Sequence, residues 1–311
     1  MNQARILPHD ANAIAEAARL IANAKPVAMP TETVYGLAAD ATRGQAVAAI
    51  YAAKGRPSFN PLIVHVLDRA AAEALADLPD AAQKLADAFW PGPLTIVAPL
   101  KPDTPIAALA TAGLPTIALR SPAHPAMRDL LCACGKPLAA PSANASGTIS
   151  PTQAAHVLHS LGNRIELIVD GGSTAVGLES TIVAVEGGCL RILRPGPITA
   201  DQLAEASGLR VVADASGKIQ APGQLTQHYA PSKPVRLNAA EAAWGEWLIG
   251  FGPVAGDVSL SARGDLCEAA ARLFELLHEA DANSMPRIAF APVPDMGLGV
   301  AINDRLRRAA A

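Results

Sequence analysis

The stretch Pro26-Val27-Ala28-Met29-Pro30-Thr31-Glu32-Thr33-Val34-Tyr35-Gly36-Leu37 turns from apolar to polar at a proline. Its first five residues read as a short buried strand bounded by prolines. The hydroxyls and carboxylate that follow sit where α/β folds bind ligands, just beyond a strand end. Taken alone, the same residues also suit a capped turn in which Gly36 supplies backbone freedom.

Working outward, helical and strand signals alternate over the first two-thirds of the chain. Asp10 is placed to N-cap a helix whose apolar face is Ile14, Ala17, Ala18 and Ile21. Thr42 is placed to cap a second, running through Val47, Ile50 and Tyr51. Residues 62–67 read as a core strand, followed by strands at 95–98, 116–119, 165–169, 181–185 and 190–193. Helices fill 81–89, 125–134, 151–161 and 200–206, the third opening on Ser150 as N-cap with Pro151 in its first turn. These elements predict an α/β domain with a mixed sheet flanked by helices.

The pattern changes near Gly208. Residues 214–234 are rich in Gly and Pro and read as a linker. Beyond it, strands at 234–237, 247–251 and 287–291 and helices at 266–280 and 298–308 predict a second, small α/β unit. The expected organisation is a catalytic domain over 1–208, a linker over 209–233 and a C-terminal domain over 234–311.

Composition narrows the function classes. Half of the 311 residues are hydrophobic and only 17% are charged, which excludes a disordered chain. Residues 1–208 carry 15 Lys/Arg against 17 Asp/Glu, so no segment reads as a dedicated nucleic-acid arm. The longest run without Asp, Glu, Lys or Arg, 137–163, is too polar for a membrane span, and the N-terminus lacks a signal-peptide layout. Cys132 and Cys134 fall in an apolar helical pattern and read as buried thiols. The expected compartment is the cytoplasm, without membrane association.

Three further segments carry chemistry. In Lys54-Gly55-Arg56-Pro57-Ser58-Phe59-Asn60-Pro61, two cations flank a glycine; arginine binds phosphate oxygens bidentately and lysine adds a point charge. The Walker A spacing is absent, and cations at a helix C-terminus equally suit the macrodipole. In Ala140-Pro141-Ser142-Ala143-Asn144-Ala145-Ser146-Gly147, leading to Ser150, small polar side chains and backbone N–H groups suit an anion cradle, or a Ser/Asn-rich turn. Arg120 and Arg194 stand at strand ends, His65 lies inside a strand, and Gly177-Leu178-Glu179-Ser180 precedes another strand. Each has an ordinary surface or core explanation.

In their order, these segments closely resemble the YrdC/Sua5 family of threonylcarbamoyl-adenylate synthases. The matching blocks are Pro30–Leu37, Lys54–Leu62, Phe89–Thr95, Pro141–Gly147 and Leu193–Gly196, covering essentially residues 10–208. Gln227-His228-Tyr229-Ala230-Pro231 and Asn303-Asp304-Arg305 are similar to the longer, Sua5-type members, although the C-terminal domain is shorter than expected for that type. The resemblance implies a YrdC-like twisted mixed sheet with a small Rossmann-like C-terminal domain. It further implies adenylation of threonine carbamate, made from L-threonine and bicarbonate or CO2, by ATP with release of pyrophosphate. The product would feed the threonylcarbamoyl-transfer machinery that makes threonylcarbamoyladenosine in tRNA; direct tRNA contact is left open.

By the same resemblance Lys54, Arg56, Ser142 and Asn144 would carry nucleotide binding and catalysis, with Lys54 and Arg56 on the triphosphate. Asn60, Thr116, Ala140, Ser150, Arg194 and Tyr229 would add ATP contacts, Tyr229 reaching in as a lid. Thr33, His65, Arg120 and Ser180 would read threonine. Mg2+ would ride on the phosphates, with no protein-made metal site. The rivals are an RNA-binding module of the same fold without adenylating activity, and the related domain of hydrogenase-maturation carbamoyltransferases. The second lacks support in the four scattered cysteines.

Overall fold

The computed structural model describes residues 3–213 and 228–311; the 214–227 part of the expected linker lies outside the described residues. Eleven strands form the main sheet. In chain order they are β1 (Arg5–Pro8), β2 (Val27–Met29), β3 (Gly36–Asp40), β4 (Ile63–His65), β5 (Leu94–Pro99), β6 (Thr116–Arg120), β7 (Leu138–Ala139), β8 (Leu167–Asp170), β9 (Thr181–Glu186), β10 (Cys189–Arg194) and β11 (Val211–Ala213). Their spatial order is β1-β8-β2-β3-β7-β4-β6-β5-β9-β10-β11, with parallel and antiparallel neighbours mixed. The sheet thus continues past residue 208, because β11 pairs in parallel with β10.

One face of this sheet is covered along its length. Apolar residues of α2 (Gly44–Lys54), α3 (Arg69–Glu73), α4 (Asp80–Phe89), α6 (Ala154–Leu161) and α7 (Ala200–Ser207) bury one continuous core with Val64, Leu94, Ile96, Leu119 and Val183. The opposite face is covered over half its width. There α1 (Ala11–Ala22) and α5 (Pro125–Cys134) pack on Val27, Met29, Leu138, Leu167 and Val169. The other half of that face carries a separate cluster, Ile63, Val97, Ala118, Ile182, Ala184 and Leu193. Because side chains alternate along a strand, His65 and Arg120 share this helix-free half with Ile63 and Ala118.

Two helix starts depart from expectation. Arg43, not Thr42, is the N-cap of α2, and the Thr42 hydroxyl instead donates to Asp40 at 2.6 Å. Helix α6 begins at Ala154 rather than Pro151. The Ser150 hydroxyl that would have capped it donates to Glu179, and the Pro151 carbonyl accepts from the Tyr35 amide. A cap position chosen by local rules lost to partners far away in sequence. The thiols also differ from expectation: Cys132 is exposed on α5 and Cys134 is half-buried. Asp10 caps α1 through Ala13 N, as its spacing predicts.

The C-terminal unit is a four-stranded parallel sheet, β12 (Val235–Arg236), β13 (Glu246–Gly250), β14 (Val258–Ser259) and β15 (Arg287–Phe290), in the order β12-β15-β13-β14. Helices α8 (Leu266–Ala282) and α9 (Gly299–Ala309) complete it. Its core is shared with the first domain: Val34, Ile149, Leu178 and Tyr229 are buried in the same cluster as Phe274, Phe290 and Ile302. Gly177 fits the junction because a Cβ there would lie 2.5 Å from α8 carbonyls. No helix among the described residues is long and apolar enough to cross a membrane.

Candidate active site

The site forms on the helix-free half of the main sheet, where strand ends and loops converge on a small cavity of about 40 Å³. Strand β4 delivers His65, β6 ends on Arg120 and β10 ends on Arg194. The loop after β2 brings Thr33, the loop after α2 brings Arg56, and the turn after β7 brings Ala140 and Ser142. Glu179 and His228 complete the polar lining. Three buried guanidinium groups thus face one cavity, and burial lowers the pKa of Arg56 to about 10. Such groups remain protonated at neutral pH, so the lining is a preorganised anion site.

The arginines are held by internal oxygens. Arg194 donates to the Ser180 carbonyl at 3.1 and 3.0 Å and to the Ser180 hydroxyl at 3.1 Å. Ser180 in turn shares a 2.7 Å hydrogen bond with Thr95. Arg56 donates to the carbonyls of Asn60 and Pro61, which fixes the loop that Gly55 opens in the left-handed conformation. Arg120 donates to the Gly92 carbonyl and pairs with Glu32 at 2.7 Å. Burial works to raise the Glu32 pKa, but the Arg120 charge and hydrogen bond hold it below the usual carboxylate range.

Lys54 is buried behind the Ser142–Asn144 turn. Its ammonium donates to the carbonyls of Ser142 and Asn144 at 2.6 and 2.5 Å and approaches the Asn144 side-chain oxygen at 3.5 Å. Burial and then the Arg56 cation push its pKa well below the lysine range. Lys54 therefore clamps the Ser142–Asn144 turn and does not line the cavity. Asn144 braces the same turn by donating to Thr148 and Ala145.

The remaining expected residues divide. Ser150 reaches the site through its 2.5 Å hydrogen bond to Glu179, and Asn60 through its carbonyl on Arg56. Tyr229 stacks edge-on against His228 with ring centres 4.0 Å apart. Thr116 stands at the opposite end of β6 from Arg120, roughly 13 Å along the strand, and is not brought to the cavity. Glu179, Glu32 and His228 were not singled out. Their signal in sequence was the motifs around them, and their role depends on partners about 90 to 130 residues away.

Buried polar atoms without partners collect here. Among the described residues, six of the nine belong to Asn60, His65, His228, Tyr229 and Arg305. Native interiors rarely leave such atoms unpaired, so their concentration marks a place built for a polar ligand. His65 is neutral, its pKa lowered to about 3 by burial and then by Arg120. A larger cleft of about 770 Å³ lies between α6 and α8, but among the described residues no arginine or lysine lines it. Size alone does not identify the anion site.

Fold and site together define a two-domain α/β protein with an arginine-lined cavity that His228 of the linker helps to wall. Residues 19–196 match the Sua5/YciO/YrdC family, described as "Telomere recombination", and residues 198–311 match the C-terminal domain of threonylcarbamoyl-AMP synthase. The chain is 41% identical over 321 residues to the threonylcarbamoyl-AMP synthase of Bacillus subtilis (strain 168), covering 96% of this chain and 92% of that protein. It is 39% identical to the Pyrococcus abyssi enzyme, over 94% and 93% of the two chains. The crystal structure of P. abyssi Sua5 with L-threonine superposes with a TM-score of 0.89 at 35% identity, covering 100% of this chain and 97% of that one. The chain belongs to the Sua5/YciO/YrdC family, in its two-domain form.

Proposed function

We propose that the chain is a threonylcarbamoyl-AMP synthase, a nucleotidyltransferase that serves the threonylcarbamoyladenosine modification of tRNA. The threonine amine adds to CO2, supplied as such or from bicarbonate with loss of water, and sheds a proton to give a carbamate. A carbamate oxygen then attacks the α-phosphorus of ATP, the bond to the β-phosphate bridging oxygen breaks, and pyrophosphate leaves. Two anions must be brought together, so positioning and charge neutralisation carry most of the catalysis.

The observation that carries this reading is the set of three buried arginines on one cavity. Arg56 and Arg194 would neutralise the triphosphate, with the Ser142–Asn144 turn adding donors. Arg120 would take the threonine carboxylate, and Thr33, His65 and Ser180 would read its amine and hydroxyl. A neutral His65 suits hydrogen bonding to threonine better than acid–base work. Mg2+ would arrive on the ATP phosphates. The residues present fit that route, because Glu32 and Glu179 are each committed to an arginine. Among the described residues no group of three or more His, Cys, Asp or Glu offers a metal cage.

The test is pyrophosphate release from ATP with threonine and bicarbonate omitted in turn. Release is expected to require both. Release that continues without threonine would overturn the substrate assignment.

A further inference from the structure

The C-terminal domain reaches the cavity through one side chain. Arg305, on α9, is only 1% exposed. Its Nε donates to Glu179 Oε2 at 2.8 Å, across 126 residues of sequence, and its Nη1 donates to Asp304 at 2.7 Å. Its guanidinium carbon sits 5.3 Å from the centre of the Tyr229 ring. Nη2 has no hydrogen-bond partner among the described residues.

Glu179 is the side chain that requires an explanation. It lines the cavity beside Arg56 and Arg194, and a bare carboxylate there would repel a triphosphate. Arg305 cancels that charge. The other Glu179 oxygen accepts from Ser150, so the same ion pair also fixes a hydroxyl at the cavity. The face of Arg305 not used by Glu179 supports Tyr229, whose ring also touches Phe274 of α8 at 5.4 Å. One cation from the second domain therefore orders three residues of the first domain and the linker.

We propose that Arg305 is a positioning residue of the nucleotide site: it neutralises Glu179 and seats Tyr229, which makes the C-terminal domain part of the ATP-binding apparatus. The inference rests on ATP occupying this cavity, as proposed above. Removing one member of a buried charge pair leaves the other uncompensated, whereas removing both does not.

The experiment is titration of Mg·ATP into the full chain by calorimetry, in which the stoichiometry reports the folded fraction. Arg305→Met is expected to weaken ATP binding at least tenfold at full stoichiometry. Glu179→Gln combined with Arg305→Met is expected to bind within threefold of wild type, because no bare carboxylate remains and the methionine still packs against the Tyr229 ring. Asp304 keeps Arg308 as a partner in both variants. Wild-type affinity in Arg305→Met would overturn the proposal. Should Arg305→Met not fold, the doubly neutral variant decides, since binding tenfold or more weaker than wild type overturns it. Absence of ATP binding by the wild-type chain would overturn the functional reading instead.

Discussion

Lys54 offers the sharpest test of how the site is built, because two roles predict opposite signs. Its ammonium makes two short hydrogen bonds to the carbonyls of Ser142 and Asn144, and the third approach, at 3.5 Å, is too long to add much. Lys54→Met keeps most of the length of the side chain and removes the ammonium group. Hydrogen bonds from a charged donor contribute a net ~1.5–3 kcal/mol each, so the lower figure for both gives a loss of about 3 kcal/mol. At roughly 2–4 °C per kcal/mol for a unit of this size, Tm falls by about 6–12 °C. Turnover falls by roughly 10²–10³, the scale for one preorganised electrostatic contact, because the Ser142–Asn144 turn loosens. Scanning calorimetry and initial rates of pyrophosphate release read the two effects on the same preparation. If the lysine served the triphosphate alone, deleting a buried cation would raise Tm of the ligand-free protein while turnover fell. A raised Tm, or a folded variant with near-wild-type turnover, refutes the clamp.

Arg120→Met is expected to raise the KM for threonine at least tenfold while changing the KM for ATP less than threefold, measured by varying each substrate in turn. Equal effects on both would deny Arg120 its separate duty. Stability should fall as pH drops below 6.5, because His156 and His278 titrate near 3 and 4 in the folded chain but near 6.5 when unfolded. Burial is the main cause for both, so between those values the unfolded chain binds protons the native one refuses. Replacing both histidines, whose rings stack at 3.8 Å between α6 and α8, by glutamine should flatten the dependence of Tm on pH from 7 to 5. An unchanged slope would show that other groups control acid sensitivity.

What could be read from the sequence was what is local. The strands carrying His65, Arg120 and Arg194 announce themselves by apolar runs, and alternation already places His65 on the face of Ile63. The pieces that escaped are those decided at a distance. Strands β1 and β3 have weak patterns and exist because β8 and β2 pair with them. Ser150 obeys every local rule for an N-cap, yet Glu179 claims its hydroxyl. In a linear reading Lys54 suits a phosphate ligand and a helix C-terminal cation equally. Only the fold of the 142–144 turn, some 90 residues away, reveals three oxygens converging on it. Thr116 lies on the strand that carries Arg120, at its opposite end.

The size of the cavity bears on how the two domains work together. Ligand sites for molecules as large as a nucleotide occupy roughly 300–1,000 Å³, against about 40 Å³ here. Admitting ATP therefore requires something at the cavity to shift. The arginines and strand ends are tied into the sheet by Ser180, Asn60, Pro61 and Gly92, which makes them poor candidates. His228 and Tyr229 are tied differently. Tyr229 is buried with a positive φ of 64°, and its hydroxyl lacks a partner among the described residues. Its ring belongs to the core of the C-terminal domain, through Phe274 and Arg305. Withdrawing it must disturb that core and the Arg305–Glu179 pair together. Any movement of Tyr229 is therefore coupled, through Phe274 and Arg305, to the packing of the second domain against the first.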